Sequence, residues 1–322
     1  MQKNKEKSTI KNFTNKIICG DATETLKEIP DASVDTIFVD PPFNLKKKYA
    51  NSDDKKSSEE YLEWCYSWID ECIRVLKPSG TLFLHNIPKW LVYFANHLND
   101  EKKMFFRHWI SWEAMGAPLG TTLLASHYGI LYYTKSEKKH KFYKLRIPHK
   151  RCRVCKEIQA DYGGKKVSMH PFGTVLTDVW TDIHRIRHKS RRDKHPNQLP
   201  EPLLERLLLM TTEVNDVVLD PLIGAGTTAL AAKRLGRQYI GIDNSQEYVD
   251  LTNEKLAEIK VEKSNGYVYR YNKKGQTKTS VNKNFAKEHT IKDDDIVIDK
   301  KKLKDEKGSL YYDFEMKKTK KK

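Results

Sequence analysis

LDPLIGAGTTALAAKRLGRQYIGID, residues Leu219–Asp243, is the stretch of sequence that decides the fold. It predicts a strand that ends at Asp220, followed by a turn that carries Gly224 and Gly226. A helix then begins at Thr227, and its free N–H groups face the turn. Glycines let the backbone turn tightly and approach a ligand closely, so this order of elements indicates a binding cradle in an α/β protein.

The acids on either side of this turn indicate which ligand it takes. Asp243 ends the next strand and is followed by Asn244, and an acid about 20 residues beyond such a turn binds a ribose diol. Asp220 lies just before the turn, where its charge would repel a pyrophosphate but attract an ammonium group. The segment therefore favours S-adenosylmethionine over a dinucleotide, with Thr227 and Thr228 at the helix start.

The rest of the chain shows the same alternation of strands and helices. Val34–Asp40, VDTIFVD, is a continuous β-branched run, as expected of a parallel strand buried on both faces. Apolar residues at helical spacing predict a helix over Ser58–Leu76, and Lys77–Gly80 should end it before a strand at Thr81–Leu84. We predict an α/β fold with a doubly wound, mostly parallel sheet.

The tetrapeptide Asp40-Pro41-Pro42-Phe43 follows the buried strand, at the end where ligands of open α/β sheets bind. The prolines carry no N–H donors, so the Asp40 carboxylate and the Pro41 carbonyl form a site of acceptors, beside the flat ring of Phe43. Such acceptors suit the exocyclic amine of adenine or cytosine. Holding its hydrogens would localise the nitrogen lone pair for attack on a sulfonium methyl group.

Positive charge is concentrated in one part of the chain. Residues 135–194 hold 18 Lys or Arg against six Asp or Glu, within a chain of net charge +16. Phe142, Tyr162 and Trp180 are among the aromatic residues that interleave these cations. This clustering indicates a surface for a polyanion, and nucleic acid is the first candidate.

Composition excludes several other classes of protein. A mean hydropathy of −0.72, without long apolar runs, argues against membrane spans, and the N-terminus lacks a signal-peptide pattern. Five cysteines predict no disulfide framework, which favours a reducing, cytoplasmic location. Cys152 and Cys155 have the spacing of half a zinc site, with His140, His149 and His170 nearby, so zinc is left open.

Taken together and in this order, the motifs resemble the amino-group DNA methyltransferases, which methylate adenine N6 or cytosine N4. The matching segments are CGD at Cys19–Asp21, DPPFN at Asp40–Asn44, KHPNQLPEPLLERLL at Lys194–Leu208, and the glycine turn with GIDNSQEYV. The tetrapeptide precedes the cofactor turn and the basic segment lies between them, an arrangement that resembles the β group of the family. The resemblance covers roughly residues 17–255.

The resemblance implies a role for each matching position. Asp40, Pro41, Pro42 and Phe43 would be catalytic, with a flipped base stacked on Phe43. The His195–Gln198 segment would flank the methionine end of S-adenosylmethionine. Residues implied in cofactor binding are Asp21 near the adenine, Asp243 at the ribose, and Asp220, Gly224, Gly226, Thr227, Thr228 and Asn244. Two positions depart from the usual pattern: Leu222 replaces a Phe, and Phe43 stands where many members carry Tyr.

The resemblance also gives a domain organisation, in which the methyltransferase fold has a permuted motif order and an inserted basic target-recognition region. The five predicted segments are a flexible basic N-terminus (1–15), a catalytic half (16–134), the target-recognition region (135–194), a cofactor-binding half (195–262), and a C-terminal extension with a Lys-rich tail (263–322).

We therefore predict a site-specific DNA adenine N6-methyltransferase that serves a restriction system. Asp at position 40 is typical of adenine members of the family, whereas cytosine N4 members more often carry Ser. Double-stranded DNA is the predicted partner, a cognate restriction endonuclease and a homodimer are further candidates, and no membrane partner is expected. A cytosine N4 enzyme, an RNA or protein amide methyltransferase, and an inactive DNA-binding homologue stay open as alternatives.

Overall fold

A computed structural model gives the fold. It describes residues 9–45, 56–114, 123–147, 174–186 and 198–259, and five short strands between 291 and 316. The chain divides into two compact units. The first unit is Met1–Lys141 with Asp178–Lys263, and the second is Phe142–Thr177 with Ser264–Lys322.

The elements of the structure are as follows. The strands are β1 (Lys16–Cys19), β2 (Val34–Val39), β3 (Leu76–Asn86), β4 (Phe105–Glu113), β5 (His127–Thr134), β6 (Leu145–Ile147), β7 (Thr174–Val175), β8 (Val179–Trp180), β9 (Val217–Asp220), β10 (Gln238–Asp243), β11 (Ile291–Lys292), β12 (Ile296–Ile298), β13 (Lys304–Asp305), β14 (Leu310–Tyr311) and β15 (Phe314–Met316). The α-helices are α1 (Ala22–Glu28), α2 (Ser58–Val75), α3 (Pro88–Asn96), α4 (Glu201–Thr211), α5 (Thr227–Arg234) and α6 (Gln246–Glu258).

Within the described part of the first unit, eight strands form one sheet in the order β1-β10-β9-β2-β3-β5-β4-β8. The five strands from β1 to β3 pair in parallel, β5 pairs antiparallel with β3 and β4, and β8 pairs in parallel with β4. Every residue of β2 is buried, because helices cover both faces at the sheet centre. The predicted α/β fold with a doubly wound, mostly parallel sheet is confirmed.

The order of the strands creates a crevice at the centre of the sheet. From β2 the chain proceeds to β3 on one side, and from β9 it proceeds to β10 on the other. The strand order therefore reverses between β2 and β9, where Ile37 pairs with Leu219. Ligands of such sheets bind beyond the carboxyl ends of the strands at this reversal. Asp40 and Asp220 both lie there.

The connection from α2 into β3 differs from the sequence prediction. The residues 77–80 were expected to separate a helix from a strand, but β3 begins at Leu76, directly after the helix. Leu76 pairs with Val34 and Thr81 with Thr36, so the residues between form a bulge in the strand. The bulge brings Lys77 Nζ to 2.8 Å from the buried carboxylate of Asp35, which compensates that charge.

The C-terminal part of the basic segment returns to the core of the first unit. Trp180 on β8 is buried, and the guanidinium of Arg206 lies 5.0 Å from the centre of its ring. Both oxygens of Asp182 accept hydrogen bonds from Arg206, at 3.0 and 2.6 Å. Trp180 is thus a packing residue of the core, and the buried guanidinium of Arg206 has a charged partner in Asp182.

The second unit contains small antiparallel pairings. β6 pairs with β7 and with β11, β12 pairs with β15, and β13 pairs with β14. The Cys152–Cys155 pair and its neighbours His149 and His170 lie outside the described residues. Elsewhere, where side chains are described, no cluster of three metal-ligating residues occurs. None of the described helices is long and apolar enough to cross a membrane.

Candidate active site

A cavity at the carboxyl ends of β2 and β9 contains most of the residues that the sequence singled out. Part of its wall is the acceptor tetrapeptide after β2, and part is the glycine turn after β9. The predicted residues that line it are Asp21, Asp40, Pro41, Pro42, Phe43, Asp220, Gly224, Thr227, Thr228, Asp243 and Asn244. The structure therefore unites two motifs that are separated by the whole basic segment in the sequence.

Gly226 is the one residue of the predicted catalytic and cofactor-binding set that is not among the residues lining the cavity. It precedes α5 with φ of 84°, in the left-handed region that favours glycine. A Cβ at this position would meet Thr252 Cγ2, on α6, at 2.4 Å. Gly226 therefore allows the turn and the close approach of α6, and its contact with the cofactor stays a prediction.

Replacing Gly226 with alanine is expected to destabilise the protein by about 1–3 kcal/mol, because the new methyl group has no room and the backbone is strained. Equilibrium unfolding in urea measures this change. Removing the obstruction with the additional substitution Thr252→Ala should recover part of the loss. A Gly226→Ala protein as stable as the parent would contradict the close packing of the turn on α6.

The Asp220 carboxylate is buried in the floor of the cavity. Its Oδ1 accepts a hydrogen bond from the backbone N–H of Leu222 (3.1 Å), and its Oδ2 accepts one from the Thr228 hydroxyl (2.6 Å). Burial raises the pKa of Asp220 to about 7, and the nearby charges of Asp40 and Asp243 add to the rise. The two hydrogen bonds oppose this shift without cancelling it. A cation bound against this carboxylate would remove the cost of its charge.

Asp243 and Asp21, the other two acids predicted to bind the cofactor, accept hydrogen bonds from backbone N–H groups around the cavity. Asp243 accepts hydrogen bonds from the backbone N–H groups of Gly224 and Ser245, both at 2.9 Å. Burial raises the pKa of Asp243. Asp21 precedes α1, and its carboxylate accepts the N–H of Glu24 at 3.0 Å as a helix cap. Both residues therefore support the local fold and line the cavity as well.

Three side chains from neighbouring elements anchor the tetrapeptide. His85 Nδ1 lies 2.7 Å from Asp40 Oδ1, the Tyr61 hydroxyl donates to the Pro42 carbonyl (2.6 Å), and Trp90 Nε1 donates to the Phe43 carbonyl (2.8 Å). Among the described residues, no hydrogen bond is made to Asp40 Oδ2 or to the Pro41 carbonyl. These are the two acceptors that the sequence predicted for an amine.

The Phe43 ring forms part of the cavity wall and is largely enclosed. It is 7% exposed, and its ring centre lies 5.6 Å from that of His85 and 5.5 Å from that of Tyr128. These neighbours hold the ring in place on its protein side. Stacking of a flipped base on Phe43 stays a prediction.

Sequence reasoning did not identify several residues of the site. His85 lies outside every recognised motif, and Tyr61 was predicted to lie on a helix without a role in the site. Gln198 lies in the segment expected at the methionine end of the cofactor and does line the cavity, while the residues just before it lie outside the described part of the chain. Cavity-lining residues that were not predicted also include Lys56, Trp64 and Tyr248.

The chemistry of the wall fits S-adenosylmethionine. Four carboxylates line the cavity, those of Asp21, Asp40, Asp220 and Asp243, and among the described lining residues the one cationic side chain is Lys56. Such a wall favours a cationic ligand and disfavours a pyrophosphate. Asp220 would bind the ammonium group and Asp243 the ribose hydroxyls. The turn around Gly224 would pack against the cofactor.

The fold and this site define an α/β protein of the doubly wound class, with an acid-lined cavity at the point where the strand order reverses. The sequence profile of the N6/N4 family, described as DNA methylase, matches residues 34–254. That match covers more than half of the chain, so the protein belongs to the N6/N4 DNA methylase family. The family resemblance seen in the motifs is confirmed.

Individual relatives support the same conclusion. The chain is 47% identical over 230 residues to the type II methyltransferase M.BamHI of Bacillus amyloliquefaciens, a match that covers 71% of this chain and 54% of that protein. It is 30% identical over 251 residues to the DNA adenine methyltransferase YhdJ of Escherichia coli K12, covering 76% and 83%. The chain thus spans about half the length of M.BamHI.

The fold also matches solved structures. The crystal structure of the M1.HpyAVI–SAM complex superimposes with a TM-score of 0.52 at 22% identity, covering 75% of this chain and 98% of that one. At this identity the similarity establishes the shared fold.

Proposed function

We propose that this protein transfers the methyl group of S-adenosylmethionine to the exocyclic amine of a base in double-stranded DNA, and that the amine is adenine N6. The observation that carries the proposal is the pairing, in one cavity, of an acid-rich cofactor wall with two unoccupied acceptors, Asp40 Oδ2 and the Pro41 carbonyl. M.BamHI and YhdJ, named as methyltransferases, support methyl transfer as the activity, and of these two names only that of YhdJ specifies adenine.

The chemistry follows from the acceptors of the tetrapeptide. When bound, S-adenosylmethionine supplies an electrophilic methyl group on a sulfonium. A base amine is a poor nucleophile because its lone pair is delocalised into the ring. Asp40 Oδ2 and the Pro41 carbonyl accept hydrogen bonds from the two N–H groups of the amine. These bonds localise the lone pair on nitrogen and direct it into the cavity. The Asp40 carboxylate also stabilises the positive charge that develops on nitrogen as the N–C bond forms and the S–C bond of the sulfonium breaks. It is placed to receive the proton that the methylated amine then loses, and the thioether is the leaving group.

Two features support adenine as the base. Asp at position 40 is the residue that adenine-directed members of the family typically carry. YhdJ, 30% identical to this chain, is named as a DNA adenine methyltransferase.

Cytosine N4 is the second candidate function. The family profile covers both N6 and N4 enzymes, and the two amines are conjugated in the same way. A pair of acceptors after β2 would therefore serve either base, and the choice between them depends on contacts to the rest of the ring.

We propose that DNA binds through the predicted target-recognition region, residues 135–194. The described lysines at its start take part in the fold: Lys135 donates to the carbonyls of Ile73 and Leu76, and Lys141 pairs with Asp216 at 2.6 Å. We therefore expect the other Lys and Arg residues of the segment to contact the DNA phosphates. We also propose that the protein serves a restriction system, in which a cognate endonuclease recognises the same DNA sequence.

Sequencing of modified bases in a host without DNA methylation tests the proposal. Genomic DNA from cells that express the protein should carry N6-methyladenine at one defined short sequence, and DNA from cells that express Asp40→Ala should carry none. N4-methylcytosine at a defined sequence would establish the second candidate instead. Unmodified DNA together with methylated RNA or protein would overturn DNA as the substrate.

A further inference from the structure

We propose that His85 is a positioning residue that holds the Asp40 carboxylate so that its second oxygen faces the base amine. The proposal rests on the proposed function and identifies a residue of the site outside the recognised motifs. His85 lies on β3, 45 positions away from Asp40 in sequence, and its imidazole is 1% exposed. Its Nδ1 lies 2.7 Å from Asp40 Oδ1.

The pairing of β2 with β3 places the two residues side by side. Val39 is the register partner of Leu84 in this parallel pair, so Asp40, the first residue after β2, lies beside His85 on β3. Side chains at equivalent positions of neighbouring strands leave the sheet on the same face. The contact is therefore built into the strand register and does not depend on a mobile loop.

The surroundings of the ring select its tautomer. His85 Nε2 is buried and makes no hydrogen bond in the described structure. A proton on Nε2 would leave a buried donor unsatisfied and would set the Nδ1 lone pair against a carboxylate lone pair. With the proton on Nδ1, the imidazole donates to Asp40 Oδ1, and the unpaired group is an acceptor at Nε2. The tautomer that fits these contacts carries its proton on Nδ1.

Aromatic rings fix the orientation of this donor. The ring centre of His85 lies 5.4 Å from that of Tyr128, 5.8 Å from that of Trp112 and 5.6 Å from that of Phe43. A ring enclosed in this way has little freedom to turn, so its N–H direction is set by packing. His85 therefore contacts both functional ends of the tetrapeptide, the carboxylate of Asp40 and the ring of Phe43.

The consequence concerns the geometry of the acceptor. A carboxylate with one oxygen held by a rigid donor cannot rotate freely, and the other oxygen, Asp40 Oδ2, keeps a single direction. Because Asp40 lines the cavity, that direction is the one available to an amine. Without the donor the carboxylate would sample several rotamers, and a displacement of about 1 Å at a reacting group costs up to roughly 100-fold in rate.

Two substitutions separate positioning from packing. His85→Leu fills most of the space of the imidazole with an apolar side chain but removes the donor, so kcat should fall roughly 10- to 100-fold. The Kd for S-adenosylmethionine and the KM for DNA should change by less than about threefold, since ground-state binding does not use the contact. His85→Asn places an amide N–H₂ at the position of Nδ1 but leaves a gap among the rings. His85→Asn should therefore have a lower melting temperature than His85→Leu but a higher kcat.

The chain offers a matched control in His97. This histidine is also buried, and its Nε2 lies 2.8 Å from Asp70 Oδ1, but neither residue lines the cavity. His97→Leu should lower the melting temperature and leave kcat unchanged. Activity is measured as transfer of labelled methyl groups to DNA at saturating concentrations of both substrates.

The outcomes distinguish the two proposals. A parent protein that transfers no methyl group to DNA would refute the proposed function. A parent that transfers methyl groups, with kcat unchanged in His85→Leu, would refute the role of His85 and leave the proposed function intact. The same refutation follows if kcat in both His85 variants tracks stability, so that His85→Asn is the less active. Recovery of kcat in His85→Asn supports positioning.

Discussion

Replacing Asp40 with alanine should lower the rate of methyl transfer on the order of 10³-fold, because the base amine loses the anionic acceptor that its developing charge requires. The cofactor side of the cavity stays intact in this variant, since Asp40 makes its described hydrogen bond to His85 and none to the glycine turn. The affinity for S-adenosylmethionine should therefore remain close to that of the parent. Isothermal titration with the cofactor and labelled methyl transfer to DNA measure the two quantities in one preparation.

The control for this prediction is Asp70→Ala, which also removes a carboxylate from a buried histidine. Asp70 lies outside the cavity, next to His97 and Lys102. It should reduce stability without changing the rate constant of transfer. Loss of cofactor binding by a folded Asp40→Ala protein would contradict the role assigned to Asp40, because it would place that residue in the cofactor site.

Replacing Asp220 with asparagine should weaken binding of S-adenosylmethionine on the order of 100-fold, because the cofactor ammonium would lose its charged partner. Asparagine keeps the shape of the side chain and can still accept the Leu222 N–H, and its amide can donate to the Thr228 hydroxyl. The fold should therefore survive the change. Titration of the cofactor at pH 8 measures the loss, with Asp250→Asn on the exposed side of α6 as a matched control.

The same variant should raise the stability of the free protein at alkaline pH. The pKa of Asp220 is about 7 in the folded protein and ordinarily near 3.8, so between these values the folded state holds a proton that the unfolded state has lost. The stability associated with this group is fully present below about pH 4, where both states hold the proton. The free energy of unfolding then falls by roughly 1 kcal/mol per pH unit until the folded carboxyl ionises near pH 7. Asparagine avoids that decrease.

Thermal melting across this pH range tests the argument. Asp220→Asn should melt above the parent at pH 8, and the difference should shrink as the pH falls towards 4. In the parent, cofactor affinity should rise with pH through about 7, as Asp220 becomes the anion that the ammonium prefers. An Asp220→Asn protein that melts lower than the parent at pH 8 would show that the buried charge is already compensated.

The central part of the fold was predictable because local and global signals agree there. The β-branched run of β2 is buried along its whole length, and the turn around Gly224 has the glycines, acid and helix start that its geometry requires. The bulge at 77–80 was not predictable. Its turn-like residues indicate a loop, and the ion pair of Lys77 with the buried Asp35 is a long-range contact that no local pattern shows.

The candidate site divides in the same way. Residues that a motif carries, such as Asp40, Asp220 and Asp243, were identified and line one cavity. His85 and Tyr61 were missed because their partners, Asp40 and the Pro42 carbonyl, are distant in sequence and close only after the strands pair and α2 packs. A polar residue at the end of an apolar strand, as in LFLHN, was the available signal.

The most direct test of the central claim identifies the atom that receives the methyl group. Unmethylated double-stranded DNA is incubated with the protein and S-adenosylmethionine that carries a deuterated methyl group, then digested to nucleosides for mass spectrometry. The label should appear in N6-methyldeoxyadenosine, and it should be lost when Asp40 is replaced by alanine. Label in N4-methyldeoxycytidine, or no label in any DNA nucleoside, would contradict adenine N6 methylation by this site.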